Sequence, residues 1–124
     1  VQFPVTETER AQFDAQVERV LQELPEWVLR AFDNISIMIE DDPSPDLDPM
    51  GQGLLGLYTG IPLPERGVHY AGALPDVIYI FRNPHLALGL SESETREEIA
   101  RTVMHEIAHY FGIDDDYLEQ NGWG

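Results

Sequence analysis

The feature that most constrains this chain is the stretch from Ser91 to Phe111, which reads as one helix with two unlike sides. Ser91 followed three residues on by Glu94 is a capping-box signal, Thr95 with Glu98 is a second possibility, and Glu92 and Glu97 strengthen the start. Ile99, Ala100, Val103, Met104, Ile107, Tyr110 and Phe111 then share one arc, which is expected to pack against a core. Glu98, Thr102, His105, Glu106 and His109 occupy the opposite arc, which is expected to face a solvent-filled cleft. Residues four apart on a helix lie about 40° from each other around the axis, so His105 and His109 project their imidazoles from one face, one turn apart. Two nitrogens so placed can share a metal ion. Glu106 lies about 100° further round than His105, outside the natural ligand position but close enough to reach a water on the metal, and its expected role is general base. Gly112 offers the left-handed residue that ends a helix, and Asp115 follows where the turned chain can deliver a third ligand.

Which metal such a site can hold follows from what the chain lacks. Its 124 residues contain no cysteine, so a thiolate site and a disulfide framework are both excluded, and His, Asp and Glu are the strong ligands left. The length suits one core, and a single domain over residues 1–124 is expected. An apolar share of 43% is enough to build that core and argues against disorder. Seven basic residues against 23 acidic ones leave a net charge of −16, a field that repels phosphate backbones. Nucleic acid and anionic membrane surfaces are therefore poor partners, and mutually repelling monomers are expected. No apolar run approaches a membrane span, and the opening VQFPVTETER has no basic region followed by an apolar one. A cytoplasmic protein is the expectation.

The rest of the chain supplies a scaffold. Thr6 or Thr8 can cap a helix whose face is Phe13, Val17, Val20, Leu21 and Leu24, interrupted at Pro25. A further turn or two carries Trp27, Val28, Ala31 and Phe32, with Trp27 and Phe32 expected in the core. Ile35 to Glu40 reads as a first strand. The loop after it carries Asp41, Asp42, Asp46 and Asp48, but it lacks the Gly and terminal Glu of a calcium loop and reads as solvated. Leu54 to Ile61 looks like a second strand with internal glycines and flanking prolines, which suits an edge; a Gly bulge without a partner is the competing reading. Asp76 to Arg82 is apolar on both faces apart from its ends, as a buried central strand would be, and is stopped by Asn83 and Pro84. His69 and His85 are expected in loops, exposed rather than ligating. The fold class expected is α+β, with a mixed sheet of about three strands packed on the N-terminal helix and the Ser91–Phe111 helix.

The stretch from His105 has the pattern H-E-x-x-H-x-x-G-x-x-D and resembles the zincin metallopeptidases, in the branch with Asp where metzincins carry a third His. With L-L-G-L-Y at Leu54 to Tyr58, I-P-L-P-E-R-G at Ile61 to Gly67 and A-L-P-D-V-I-Y-I-F-R at Ala73 to Arg82, the chain is similar to the small bacterial minimal-zincin metallopeptidase-like family. The resemblance implies a minimal zincin-like fold and a catalytic Zn2+ on His105, His109 and Asp115, with Glu106 as base. It implies a peptide or protein substrate laid along an edge strand at Leu54, Leu55, Gly56, Leu57 and Tyr58. Asp115 matches the family register, with Asp114 and Asp116 as alternative third ligands. Three protein ligands leave a position for water, as catalytic zinc requires, and the chemistry implied is peptide hydrolysis. An oxyanion donor is also expected, and the sequence leaves it open among Tyr58, Tyr70, Tyr79, Tyr117 and Arg66.

Metzincins place a Met turn beneath the metal, whereas Met38, Met50 and Met104 all precede this motif and nine residues follow Asp115. A shallow groove is therefore expected, suited to short or flexible peptides. The rival to a peptidase is a zinc-binding module that recognises a peptide or partner with little or no turnover; Glu106 discriminates, because recognition needs no base. A bacterial RNA-processing family uses a related helix motif, but it carries Gly where this chain has Glu106, and a net charge of −16 opposes RNA.

Overall fold

The computed structural model describes residues 6–31, 35–48, 51, 53–60 and 76–112. Helix α1 spans Glu7–Glu23 and starts where Thr6 accepts a hydrogen bond from the Glu9 backbone N–H. It stops short of Pro25, and α2 (Glu26–Ala31) follows. Strand β1 is Ile35–Glu40, β2 is Gly56–Thr59 and β3 is Asp76–Phe81. A short α3 (Arg82–Leu86) leads to α4, Glu92–Tyr110. Ser91 and Glu94 complete a reciprocal capping box at the start of α4, and Gly112, at φ 81°, turns the chain at its end.

The sheet order is β1-β3-β2, with β1 parallel and β2 antiparallel to β3. The fold is thus α+β with a three-stranded mixed sheet, consistent with a minimal zincin-like architecture. Among the described residues β3 is central and β2 lies at an edge. Registers Ile37↔Ile78 and Tyr58↔Ile78 place Ile35, Ile37, Ile39, Ile78, Ile80, Gly56 and Tyr58 on one face. Phe13, Val17 and Val20 of α1, Val28 of α2, and Ile99, Val103, Ile107 and Tyr110 of α4 close over that face to form the core. On the other face of β3, Val77 and Tyr79 are half-buried while Phe81 at the end is buried, so that face is covered only in part.

Three expectations need correction. Trp27 is 57% exposed, because the short α2 turns Val28 inward and leaves the indole resting against Phe111. Phe32 lies outside the described residues. His85 is neither in a loop nor exposed: Arg82 ends the strand early by starting α3, which carries the imidazole inside. Thr102 and Glu106 do not line an open cleft, for both are buried beneath β2.

The acidic loop is held by bonds within the protein. Arg82 donates to both Asp14 carboxylate oxygens, at 2.7 and 2.8 Å, and to Asp41 at 3.0 Å, which raises its already high pKa through the hydrogen bonds with Asp14 first, against the opposing effect of burial. That link ties α1 to the ends of β1 and β3. Asp42 accepts from the Asn83 side-chain amide, and Asp48 from the backbone N–H groups of Gly53 and Leu54.

Candidate metal centre

α4 brings three metal-capable side chains to one place because its hydrogen-bond ladder runs unbroken from the capping box to Tyr110. The rings of His105 and His109 stand with centroids 4.8 Å apart and planes at 76°. Both are half-buried. The ligand atoms of His105, Glu106 and His109 all lie within 4.8 Å of one another, and this is the one such group of three among the described residues. Two imidazoles at that separation suit a borderline cation such as zinc, the metal that the motif implies, and the carboxylate beside them is the group expected as base rather than as a ligand.

Glu106 is 7% exposed, and its two carboxylate oxygens have different surroundings. Oε1 accepts the backbone N–H of Tyr58 at 2.8 Å. Oε2 is directed toward His105, 4.0 Å from Nε2. A bond from the middle of β2 to a side chain of α4 is possible because Tyr58 N points away from β3, while Leu55, three residues earlier and so of opposite sense in the alternation, turns its carbonyl to accept from Phe81 N–H.

β2 comes that close because residue 56 is glycine. A Cβ there would lie 2.5 Å from Thr102 Cγ2, 3.0 Å from the Tyr79 carbonyl oxygen and 3.5 Å from Glu106 Cγ. Only a residue without a side chain fits between the strand and the helix. An interior glycine in a strand often marks the close approach of a neighbour, and here that neighbour is the helix bearing the histidines. The strand is shorter than expected, with Leu54 and Leu55 preceding it, Leu57 beside Gly56 and Tyr58 within it, and Ile61 outside the described residues.

The Tyr58 side chain lies on the core face, where its hydroxyl donates to Asp76 Oδ2 at 3.0 Å and its ring meets Tyr110 edge-on. Asp76 is fully buried, a role that its place at the edge of an apolar run gave no signal for. Behind the site, His85 Nδ1 lies 2.7 Å from the Phe81 carbonyl oxygen and Nε2 lies 2.9 Å from Thr102 Oγ1. Burial pushes the His85 pKa down, outweighing the Phe81 carbonyl and the Glu98 charge, and keeps the ring neutral. Asp115, with its neighbours Asp114 and Asp116, lies outside the described residues, as do Arg66, His69, Tyr70 and Tyr117.

No helix among the described residues is long and apolar enough to cross a membrane. The family model described as zincin-like metallopeptidase matches residues 32–123. No curated protein matches the chain.

Proposed function

The chain belongs to the zincin-like metallopeptidase family, and from that membership and the site geometry we propose that it hydrolyses peptide bonds, with Zn2+ held by His105, His109 and Asp115 and with Glu106 as general base. The observation that carries the proposal is the division of labour within the Glu106 carboxylate: one oxygen is tied to the edge strand and the other lies 4.0 Å from His105 Nε2. Zinc held there supplies a water nucleophile active near neutral pH and polarises the scissile carbonyl.

The chain's own groups do the rest. Glu106 Oε2 takes a proton from the attacking water and delivers it to the leaving amine nitrogen. The Tyr58 N–H on Oε1 stops the carboxylate from rotating away, so the base is oriented before substrate arrives. Beyond the Tyr58 N–H, the backbone of Gly56 and Tyr58 on the side of β2 turned from β3 is where an extended peptide adds as a further strand, with Leu54, Leu55 and Leu57 flanking it. On this proposal the protein is a cytoplasmic monomer acting on short or flexible peptides, and its net charge of −16 favours a peptide over nucleic acid as substrate.

The test compares zinc-loaded wild type with Glu106→Gln on a mixture of short, unstructured peptides, with zinc content measured in both. Glu106→Gln should keep its zinc and lose about 10²- to 10⁴-fold in rate, the usual contribution of a positioned base. Equal rates at equal zinc would overturn the assignment and leave a recognition module.

A further inference from the structure

We propose that His85, which the chemistry above does not use, is a positioning residue for Glu106 that acts through Thr102; the inference rests on the reading of Glu106 as base. His85 is 1% exposed, with its ring tilted against Phe13 at a centroid distance of 5.4 Å. Nδ1 faces a carbonyl oxygen, so Nδ1 carries the proton and donates to Phe81 O. In the neutral ring, Nε2 is then an acceptor, and the partner within reach is the Thr102 hydroxyl. That hydroxyl also donates toward the Glu98 carbonyl oxygen at 3.0 Å, so its one proton is shared between that oxygen and Nε2, and the two partners together fix Oγ1.

Thr102 is 5% exposed and carries its hydroxyl and its methyl on the same carbon. Threonine divides between two rotamers in a helix, so a fixed partner for Oγ1 also decides where Cγ2 points. Here Cγ2 points at Gly56 and forms the surface on which β2 rests. Four residues further along α4 and two further along β2, Glu106 meets Tyr58. Four helix residues advance about 6 Å and two strand residues about 6.6 Å, so the two contacts are in step and the first sets the spacing of the second. The path runs from His85 to Thr102, to the seat of β2, to the Tyr58 amide on Glu106. Arranged in this way, a buried histidine sets the orientation of the base without touching substrate or metal.

Thr102→Val keeps the shape of the side chain and removes the hydroxyl. His85→Gln keeps an acceptor near the place of Nε2, and His85→Leu removes it. Hydrogen exchange of the Tyr58 amide, referenced to Ile78 in the central strand, reads the strand contact without any turnover; kcat and KM on a cleaved peptide read its consequence. We expect Thr102→Val and His85→Leu to speed Tyr58 exchange at least about tenfold and to lower kcat about tenfold with KM within about twofold. His85→Gln should stay near wild type, and zinc content should match in all four proteins. Unchanged Tyr58 exchange in Thr102→Val, or His85→Gln behaving as His85→Leu does, would overturn the proposal. A wild type without peptidase activity but with the expected exchange pattern would sink the base assignment and leave the positioning path standing.

Discussion

Replacing Gly56 with Ala probes the contact on which the site is built. The new Cβ would stand 2.5 Å from Thr102 Cγ2 and 3.0 Å from the Tyr79 carbonyl oxygen. Non-bonded carbons rest about 3.5–4.0 Å apart, so the gap must open by about 1 Å. Tyr79 belongs to the neighbouring strand, and Thr102 is tied to His85, so β2 is the element that moves. The 2.8 Å bond from Tyr58 N–H to Glu106 then lengthens to about 3.8 Å and is lost. Overpacking alone costs about 1–3 kcal/mol, and a lost hydrogen bond to a carboxylate costs about 1.5–3 kcal/mol. One displacement causes both, so the expected destabilisation is about 3 kcal/mol, worth about 12 °C in Tm for a chain of this size. A 1 Å displacement of the base's support should also cut kcat about 100-fold. Thermal unfolding followed by circular dichroism, peptide hydrolysis and exchange at the Tyr58 amide measure the three effects. A Tm within about 2 °C of wild type, with the Tyr58 amide equally protected, would refute the reasoning.

Ser91→Ala removes one bond of the capping box and should cost about 1 kcal/mol in urea unfolding while leaving peptide turnover unchanged, because the cap stands four turns from His105; a midpoint equal to wild type would show that the cap contributes nothing. His85 supplies a pH signature. Its folded pKa lies below the ordinary 6.5, so the unfolded chain binds the proton first. This group's contribution is fully present above about pH 6.5 and is lost as pH falls from there toward the folded pKa, at no more than about 1.4 kcal/mol per pH unit. Urea midpoints from about pH 7.5 down to about pH 5 should therefore fall more steeply in wild type than in His85→Gln; equal slopes would contradict a buried neutral ring.

Much of the scaffold was legible because its signals are local. The Thr6 cap, the break at Pro25, the strand Ile35–Glu40, the box at Ser91 with Glu94 and the left-handed Gly112 each depend on residues within one turn or a few bonds of one another. The histidine pair was legible for the same reason, since i,i+4 spacing on a helix is geometry that the backbone enforces. Periodicity misassigned Thr102 and Glu106 because a polar side chain reads as solvent-facing whether water or a strand lies over it. Composition misplaced Trp27 because a helix of six residues has too little surface to bury both the indole and Val28. A lone histidine after a strand gave no sign that Phe81 and Thr102 would satisfy both of its nitrogens.

By itself, then, the sequence determined the helix that carries His105, Glu106 and His109, the nitrogen-and-oxygen character of any metal site, and the family to which the chain belongs. Tertiary structure alone decided that β2 lies on that helix, that glycine at 56 lets it come close, and that the Tyr58 amide holds one oxygen of the proposed base while the other faces His105. The physical reason is range. Caps and ligand spacing are settled within a turn of helix, whereas the bond between Tyr58 and Glu106 joins residues 48 apart and exists only once the sheet and α4 have packed.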